Sequence, residues 1–188
     1  MDRSKGSTDG ERLDVSDLYR MPWSASDNAF GWLEVIRSCD LDCGYCYQIN
    51  RPDRAKSLLE VEGELTGLLG LRRCDTVFIS GGEPLLHPEI VDVVRLTRRR
   101  GVKPVLVTNG QKMTPSLLHE LRKAGLFGCI FHIDSGQNRP GWADASEQDL
   151  NRLRQQMADM LSDEGGLVCG YNTTILPETL SQVPSIVE

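Results

Sequence analysis

The chain has 188 residues, a formal net charge of −6 and a hydrophobic fraction of 39%, values that are typical of one globular domain with a sizeable core. The negative charge gives no indication of binding to nucleic acid or to an acidic membrane surface. No run of about 18 apolar residues predicts a membrane span, and the polar N-terminus lacks the apolar region of a signal peptide, so we expect a cytoplasmic protein.

The first half of the chain predicts two strands and a helix around a cysteine-rich segment. Residues 1–28 are rich in Ser, Asp and Gly and are interpreted as a flexible polar arm, which leaves a folded domain at residues 29–188. The sequence FGWLEVIRSC then predicts a strand that runs into the cysteines. A patchy apolar face predicts a helix over residues 54–71. The apolar run TVFIS at residues 76–80, closed by Gly-Gly-Glu-Pro, is typical of a buried strand.

The alternation of strands and helices continues to the end of the chain. Thr114 and Ser146 have the side-chain oxygen that caps a helix N-terminus, and Gly125 can end the first of these two helices. Further strands are predicted at residues 104–108, 129–134 and 167–175, and further helices at residues 87–101, from Thr114 to Gly125, from Ser146 through Leu161 and at residues 177–188. This pattern indicates a parallel sheet with helices outside it.

Polar residues gather where the predicted strands end. In parallel α/β architectures the carboxyl ends of the strands form the edge where ligands bind. The alternative is that Gly and Asn at these positions only make turns. Because five strand ends carry such residues, we favour one shared site. The groups are Cys39 to Cys46, Ser80 to Pro84, Asn109, Asp134 with Ser135, and Asn172.

Cys39, Cys43 and Cys46 have the spacing C-x3-C-x2-C, which points to a metal. Thiolates select zinc, copper(I) or iron–sulfur clusters. A structural zinc needs four protein ligands, whereas an iron–sulfur cube held by three thiolates leaves one iron open to an outside ligand. The remaining cysteines stand within or beside apolar strands, where buried thiols are common: Cys74, Cys129 and Cys169.

Two motifs together resemble those of the radical S-adenosylmethionine (radical SAM) enzymes. The first is the cysteine triplet after the first strand, with Tyr45 directly before its last member. The second is Gly81-Gly82-Glu83-Pro84 after the second strand. The likeness covers about residues 29–180. It implies an α/β fold of the partial parallel (β/α) barrel type. We expect this chain to be truncated after the fifth strand, so that the sixth βα unit of the barrel is missing.

The resemblance implies two cofactors, a [4Fe–4S] cluster and S-adenosyl-L-methionine (SAM). Cys39, Cys43 and Cys46 would each ligate one iron, and the amino and carboxylate groups of SAM would chelate the fourth. Thiolate ligation helps to give the cluster the low potential that reductive cleavage of a sulfonium requires. Tyr45 would lie near the adenine.

The same resemblance assigns SAM contacts to the strand ends. Glu83 would receive the methionyl ammonium in a charge-assisted hydrogen bond, and adjacent glycines would let the backbone approach the ligand; the alternative for Glu83 is a solvated turn carboxylate. Asn109 and Asp134 would contact the ribose or the carboxylate, and Asn172 the adenosine. The residues assigned to SAM are Tyr45, Gly81, Gly82, Glu83, Pro84, Asn109, Asp134, Ser135 and Asn172.

The implied function is reductive cleavage of SAM to a 5′-deoxyadenosyl radical, which abstracts hydrogen from a substrate. An electron donor such as flavodoxin or ferredoxin is the expected partner, and a peptide, a cofactor precursor or a lipid is the expected substrate. A chain without the sixth βα unit is expected to bind both cofactors even if it has no catalytic activity toward a substrate. The alternative function is a non-catalytic α/β module with a structural zinc on the triplet and one distant cysteine.

Three residues near the fourth strand have two interpretations each. Strand alternation places His132 on the same face as Asp134, where it would contact substrate, or it is a core histidine bonded to a neighbouring side chain. In the long loop at residues 134–148, Arg139 would pair with a carboxylate or phosphate and Trp142 would wall the pocket. The alternative is a turn packed on the edge of the barrel.

Overall fold

The computed structural model describes residues 29–48 and 54–187, so the predicted arm at residues 1–28 lies outside the described part. The core is one parallel five-stranded sheet in which the strands follow their order in the chain. The predicted α/β class with a parallel sheet is therefore confirmed. The strands are β1 (Phe30–Ile36), β2 (Thr76–Gly81), β3 (Lys103–Thr108), β4 (Gly128–His132) and β5 (Val168–Asn172).

Helices connect successive strands and cover one face of the sheet. Since each crossover joins neighbouring parallel strands with the same hand, the helices all lie on the same side. None of them in the described part of the chain is long and apolar enough to cross a membrane. The helices are α1 (Leu58–Leu71), α2 (Ile90–Arg99), α3 (Pro115–Ala124), α4 (Glu147–Glu164) and α5 (Val183–Val187), with 3-10 turns at Pro84–Leu86 and Pro177–Gln182.

The side chains of each strand alternate between the helix layer and an open concave face. Ile79, Leu106 and Phe131 are fully buried in the core between sheet and helices. Trp32 and His132 point the other way and line a cavity on the concave face. This two-residue period is what strand geometry dictates, and it places His132 on the face that the sequence predicted.

The predicted helix caps are present. The Ser146 hydroxyl accepts a hydrogen bond from the Asp149 amide at 3.2 Å, and the Asp149 carboxylate accepts one from the Ser146 amide at 3.1 Å. Thr114 accepts from the Leu117 amide at 3.2 Å. Gly125 ends α3 with a φ of 101°, a left-handed conformation that favours glycine. These contacts fix the residues at which α3 and α4 begin and at which α3 ends.

The observed helix boundaries differ from the prediction at both ends of the described domain. Helix α1 begins at Leu58 rather than at residue 54, because residues 54–56 instead run beside β1, where the Lys56 amide donates to the Val35 carbonyl at 2.9 Å. The predicted helix at residues 177–188 is a 3-10 turn followed by α5. Pro184 lacks the amide hydrogen that a continuous helix would use there.

Strands β4 and β5 are shorter than predicted because the chain turns where the Asp134 carboxylate captures backbone donors. Its oxygens accept hydrogen bonds from the amides of Gly136 and Thr174, each at 3.0 Å. These amides are therefore unavailable for further sheet pairing. As a result Asp134 follows β4 instead of belonging to it.

We expect Ser146→Ala to lower the free energy of unfolding by about 1 kcal/mol, because it removes the capping hydroxyl of α4. Glu89→Ala is the matched control, since Glu89 holds the same N-cap position in α2 but makes no side-chain capping bond. The control should change stability by less than about 0.5 kcal/mol. Urea denaturation of both variants measures the difference; equal losses would contradict the assigned role of Ser146.

Candidate functional site

A cavity of about 400 Å³ lies at the carboxyl ends of the strands on the concave face, and all five strand ends contribute to its wall. Most of the predicted site residues line it: Cys39, Cys43, Tyr45, Cys46, Gly81, Gly82, Asn109 and Asn172. Four predicted residues are not part of the lining: Glu83, Pro84, Asp134 and Ser135. The parallel sheet thus brings distant segments of the sequence to one place, as expected for this edge.

The three cysteines lie in the segment that follows β1, residues 39–46, here called the cysteine loop. None of the three is in a disulfide, and all are partly exposed and line the cavity. A turn closed by the Cys46 amide and the Cys43 carbonyl at 3.0 Å shapes the loop. In residues 29–48 and 54–187, no three His, Cys, Asp or Glu side chains converge on a single metal ion. A four-iron cube does not require such convergence, because each thiolate binds a different iron.

The donors around the cavity fit a cluster with a polar ligand. Three thiols supply the soft donors that iron–sulfur clusters use. Ser80 lines the same cavity, and its buried hydroxyl has no hydrogen-bond partner among the described residues. Since buried polar groups are normally paired, this hydroxyl is available to a bound molecule.

The glycine pair holds the cysteine loop against the sheet. A Cβ on Gly82 would lie 2.1 Å from the Ser38 carbonyl oxygen, and one on Gly81, whose φ is 152°, would lie 2.0 Å from the Ile36 carbonyl oxygen. The Gly82 amide also donates to the Ile36 carbonyl at 2.8 Å. The sequence argument gave these glycines to the ligand, whereas the structure shows that the backbone leading into the cysteine loop already needs them.

The Glu83 side chain is fully buried and joins the exits of β2 and β3. Its carboxylate accepts hydrogen bonds from the Thr108 hydroxyl at 2.6 Å, the Asn109 amide at 2.7 Å and the Leu85 amide at 2.9 Å. Burial raises the pKa of Glu83 to about 7, although these three hydrogen bonds act in the opposite direction. The Glu83 amide donates to the Ser38 carbonyl at 2.8 Å, so the same residue also ties in the β1 exit.

Asp134 is a second buried carboxylate, 2% exposed, that joins the cysteine loop to β4 and β5. It accepts a hydrogen bond from the Tyr45 hydroxyl at 2.5 Å, and its other oxygen lies 2.9 Å from His132 Nε2 and 3.0 Å from the Thr174 amide. Burial acts to raise the pKa of Asp134, but the bonds from His132 and Tyr45 outweigh it and hold that pKa below its ordinary value. All of its partners are protein groups.

His132 combines the two interpretations that the sequence left open. It lines the cavity, and its Nε2 also lies 3.0 Å from the Thr174 hydroxyl. Its ring centroid is 5.9 Å from that of Tyr45. The imidazole is therefore a cavity residue whose orientation is fixed by neighbouring side chains.

Asp40 and Asn138 anchor the cysteine loop further, and the sequence argument missed both. Asn109 Nδ2 donates to the Asp40 carboxylate at 2.7 Å, and Asn138 Nδ2 donates to the Asp42 carbonyl at 2.8 Å. The position of Asp40 between two cysteines was the only sequence signal for this role. Asn109 therefore orients the loop as well as lining the cavity.

The remaining predicted residues lie away from the main cavity. Pro84 is buried at the start of a 3-10 turn. The Ser135 amide donates to the Glu147 carboxylate at 2.8 Å, while its buried hydroxyl has no partner within residues 29–48 and 54–187. Arg139 and Trp142 line a second, smaller cavity.

The other cysteines lie near the amino ends of the strands, whereas the cysteine loop lies at their carboxyl ends. Cys74 precedes β2, and Cys129 and Cys169 are adjacent near the starts of β4 and β5. Cys129 is buried as predicted, whereas Cys74 and Cys169 are partly exposed. A strand of four or more residues, about 3.3 Å each, separates the two edges. A zinc site that combines the triplet with one of these thiols would therefore require a large rearrangement.

The fold and the site define a class of protein: a parallel α/β sheet that brings three loop cysteines to the carboxyl ends of its strands. The family profile described as Radical SAM superfamily matches residues 33–188. The chain therefore belongs to the radical SAM superfamily, a superfamily of enzymes, and the resemblance drawn from the sequence is confirmed.

Two characterised relatives have different reactions. GTP 3′,8-cyclase of Chlorobaculum tepidum is 28% identical over 159 residues, which cover 83% of this chain and 48% of the cyclase. PqqA peptide cyclase of Bradyrhizobium diazoefficiens is 28% identical over 160 residues, which cover 83% of this chain and 41% of that enzyme. The chain thus spans less than half the length of these curated relatives.

A solved structure with the same fold is SuiB of Streptococcus suis. Its complex with the precursor peptide SuiA matches with a TM-score of 0.65 and 21% identity over 86% of this chain and 36% of SuiB. Its complex with SAM matches with a TM-score of 0.64 and 21% identity over 86% of this chain and 37% of SuiB. This likeness confirms the radical SAM type of partial barrel.

The burial of Glu83 gives a pH-dependent prediction. Its folded-state pKa of about 7 exceeds the ordinary value of 4.5, so between these pH values the folded chain binds the proton more tightly than the unfolded chain. The stability contributed by Glu83 is thus largest below pH 4.5 and falls by about 3 kcal/mol as the pH rises to about 7.

Glu83→Gln removes this titration, and the difference isolates it from other groups. The unfolding free energy of the wild type minus that of Glu83→Gln should fall from about pH 5 to about pH 8. Guanidinium denaturation at several pH values measures it. A difference that stays constant, or rises with pH, would show that Glu83 remains ionised throughout.

Proposed function

We propose that this chain is the core of a radical SAM enzyme, with a [4Fe–4S] cluster on Cys39, Cys43 and Cys46 and with SAM beside it in the main cavity. The observation that carries the proposal is that three cysteines outside any disulfide share one cavity of about 400 Å³ with Ser80, whose buried hydroxyl has no partner among the described residues. When bound, these groups supply one-electron cleavage of the sulfur–carbon bond of SAM and a 5′-deoxyadenosyl radical that abstracts hydrogen.

The residues of the chain hold and shield this chemistry. The Gly82 and Glu83 amides fix the start of the cysteine loop, and the Tyr45 hydroxyl fixes its far end on Asp134. Gly81, Gly82, Asn109 and the Ser80 hydroxyl form the wall where the polar part of SAM would bind. Glu83 and Asp134 would then act on SAM through the residues that they position, because protein donors already occupy their carboxylates.

The charge of the cavity wall bears on the substrate. Within the described residues, the lining contains no Lys, Arg, Asp or Glu, so this part of the site supplies no counter-charge for a polyphosphate. Trp32, Tyr45 and Tyr47 give it an aromatic character. This favours a substrate whose reacting portion is uncharged, as in a peptide, a cofactor precursor or a lipid. GTP 3′,8-cyclase and PqqA peptide cyclase show by name that relatives act on both nucleotides and peptides.

Delivery of the electron calls for a small redox protein such as flavodoxin or ferredoxin. A low-potential cluster and six cysteines that form no disulfide suit a reducing compartment. We accordingly propose a cytoplasmic location.

Anaerobic reconstitution of Cys43→Ala, with Cys74→Ala as the matched control, tests the proposal. The wild type should bind about four irons per chain and form 5′-deoxyadenosine from SAM and dithionite. Cys43→Ala should lose both properties, because one thiolate ligand is missing. Cys74→Ala should keep them, because that thiol lies at the other edge of the sheet. One zinc per wild-type chain, with no iron and no 5′-deoxyadenosine, would instead establish the structural-zinc alternative.

A further inference from the structure

A second cavity of about 220 Å³ lies behind the main one, on the helix side of the strand ends. Ile133, which faces the helices, and Met157 of α4 are part of its wall. Among the described residues, Asn109 alone lines both cavities. The second cavity is therefore largely separate from the main one, where the cluster and SAM are proposed to bind.

Arg139 brings a positive charge into this compartment. The residue is 5% exposed, and its Nη2 donates to the carbonyls of Asn109 at 2.9 Å and His132 at 3.2 Å and to the Gln137 amide oxygen at 2.8 Å. All three acceptors are uncharged. Burial lowers the pKa of the Arg139 guanidinium, although nearby Asp134 favours its charged form.

The other buried arginine of this region shows what Arg139 lacks. Arg154 is 6% exposed, and its guanidinium forms an ion pair with the buried carboxylate of Glu147. In the described residues, Arg139 forms no ion pair, and Asp134 is already committed to its own donors. A buried charge without a partner is costly, so the Arg139 site is set up for an anion from outside the chain.

Two donors on residues of the second cavity have no acceptor in the part of the chain that the structure describes. Arg139 Nε and Gln111 Nε2 are both buried and unpaired, and both residues line the cavity. Two donors match the two oxygens of a carboxylate better than the three oxygens of a phosphate. Apart from Asn109, the rest of the wall is largely apolar and includes Trp142, Met113 and Met157. The volume equals that of about seven water molecules in the liquid, which suits an acid of the size of benzoate.

We propose that this second cavity binds the carboxylate group of a small organic acid. The Arg139 guanidinium is the counter-ion, the Gln111 amide is the second donor, and Trp142 with the two methionines contacts the apolar body of the acid. The site needs neither the cluster nor SAM, so its test is independent of the proposed enzymatic function.

The test is a titration of the purified full chain with benzoate, followed by the 1H–15N resonances of the arginine Nε–H groups. Arg139→Lys identifies the Arg139 signal by its loss. We expect that signal to shift and saturate with a dissociation constant of about 1 mM or lower. Benzamide, which has the same shape without the charge, should leave it in place.

Variants locate the binding. Gln111→Leu should weaken benzoate binding about tenfold, since it removes a hydrogen bond to a charged group but leaves the three Arg139 ties that stabilise the loop. Arg152→Gln is the matched control, because Arg152 is exposed and pairs with Asp149 outside the cavity; its affinity should equal that of the wild type. An Arg139 signal that does not saturate, or that responds equally to benzamide, would overturn the proposal and leave water as the only occupant.

Discussion

One buried carboxyl group, that of Glu83, connects the carboxyl ends of neighbouring strands in this sheet. The Glu83 side chain accepts donors from the exits of β2 and β3, while the amides of Gly82 and Glu83 bond to the exit of β1. A fully buried polar group is tolerated only when it is hydrogen-bonded, so these donors must stay in place for the segment to keep its shape. The cysteine loop begins directly after Ser38, the last residue of β1's extension that bonds to Glu83, so the position of the loop depends on these hydrogen bonds.

The far end of the cysteine loop depends on a second carboxylate. Asp134 receives the Tyr45 hydroxyl together with groups from β4 and the segment after β5. Both acids therefore lie behind the cavity wall, and neutral groups face the cavity. This arrangement keeps carboxylate groups off the cavity wall, where the three cysteines would carry negative charge as ligands of the proposed cluster. The hydrogen bonds to both acids also attach the cysteine loop to the carboxyl ends of the strands.

Much of the architecture could be predicted from the sequence because it depends on local patterns. Short apolar runs predict the strands, Ser146 and Thr114 mark helix starts, and parallel topology alone brings the strand ends together. The direction in which Glu83 points could not be predicted, because its partner Thr108 is 25 residues away in the chain. The Gly-Gly-Glu motif carries the same letters whether its carboxylate faces a ligand or the next strand.

The presence of two separate cavities at the carboxyl ends of the strands could not be predicted from the sequence either. The interpretation of Arg139 as the partner of an anion and of Trp142 as a pocket wall gave no indication of which pocket. Their place behind the sheet follows from the path of residues 134–148, which the bonds of the Arg139 guanidinium to three acceptors determine. Long-range contacts of this kind leave no periodic signal in the chain.

The central claim is that the cysteine loop and the strand ends form one cofactor site in which an iron of the cluster stays open to SAM. Electron paramagnetic resonance of the reconstituted, reduced protein tests it most directly. The account predicts the signal of a reduced [4Fe–4S] cluster whose g values and line shape change when SAM is added and do not change with adenosine. A signal that SAM leaves unaltered, or the absence of any cluster signal, would contradict the account.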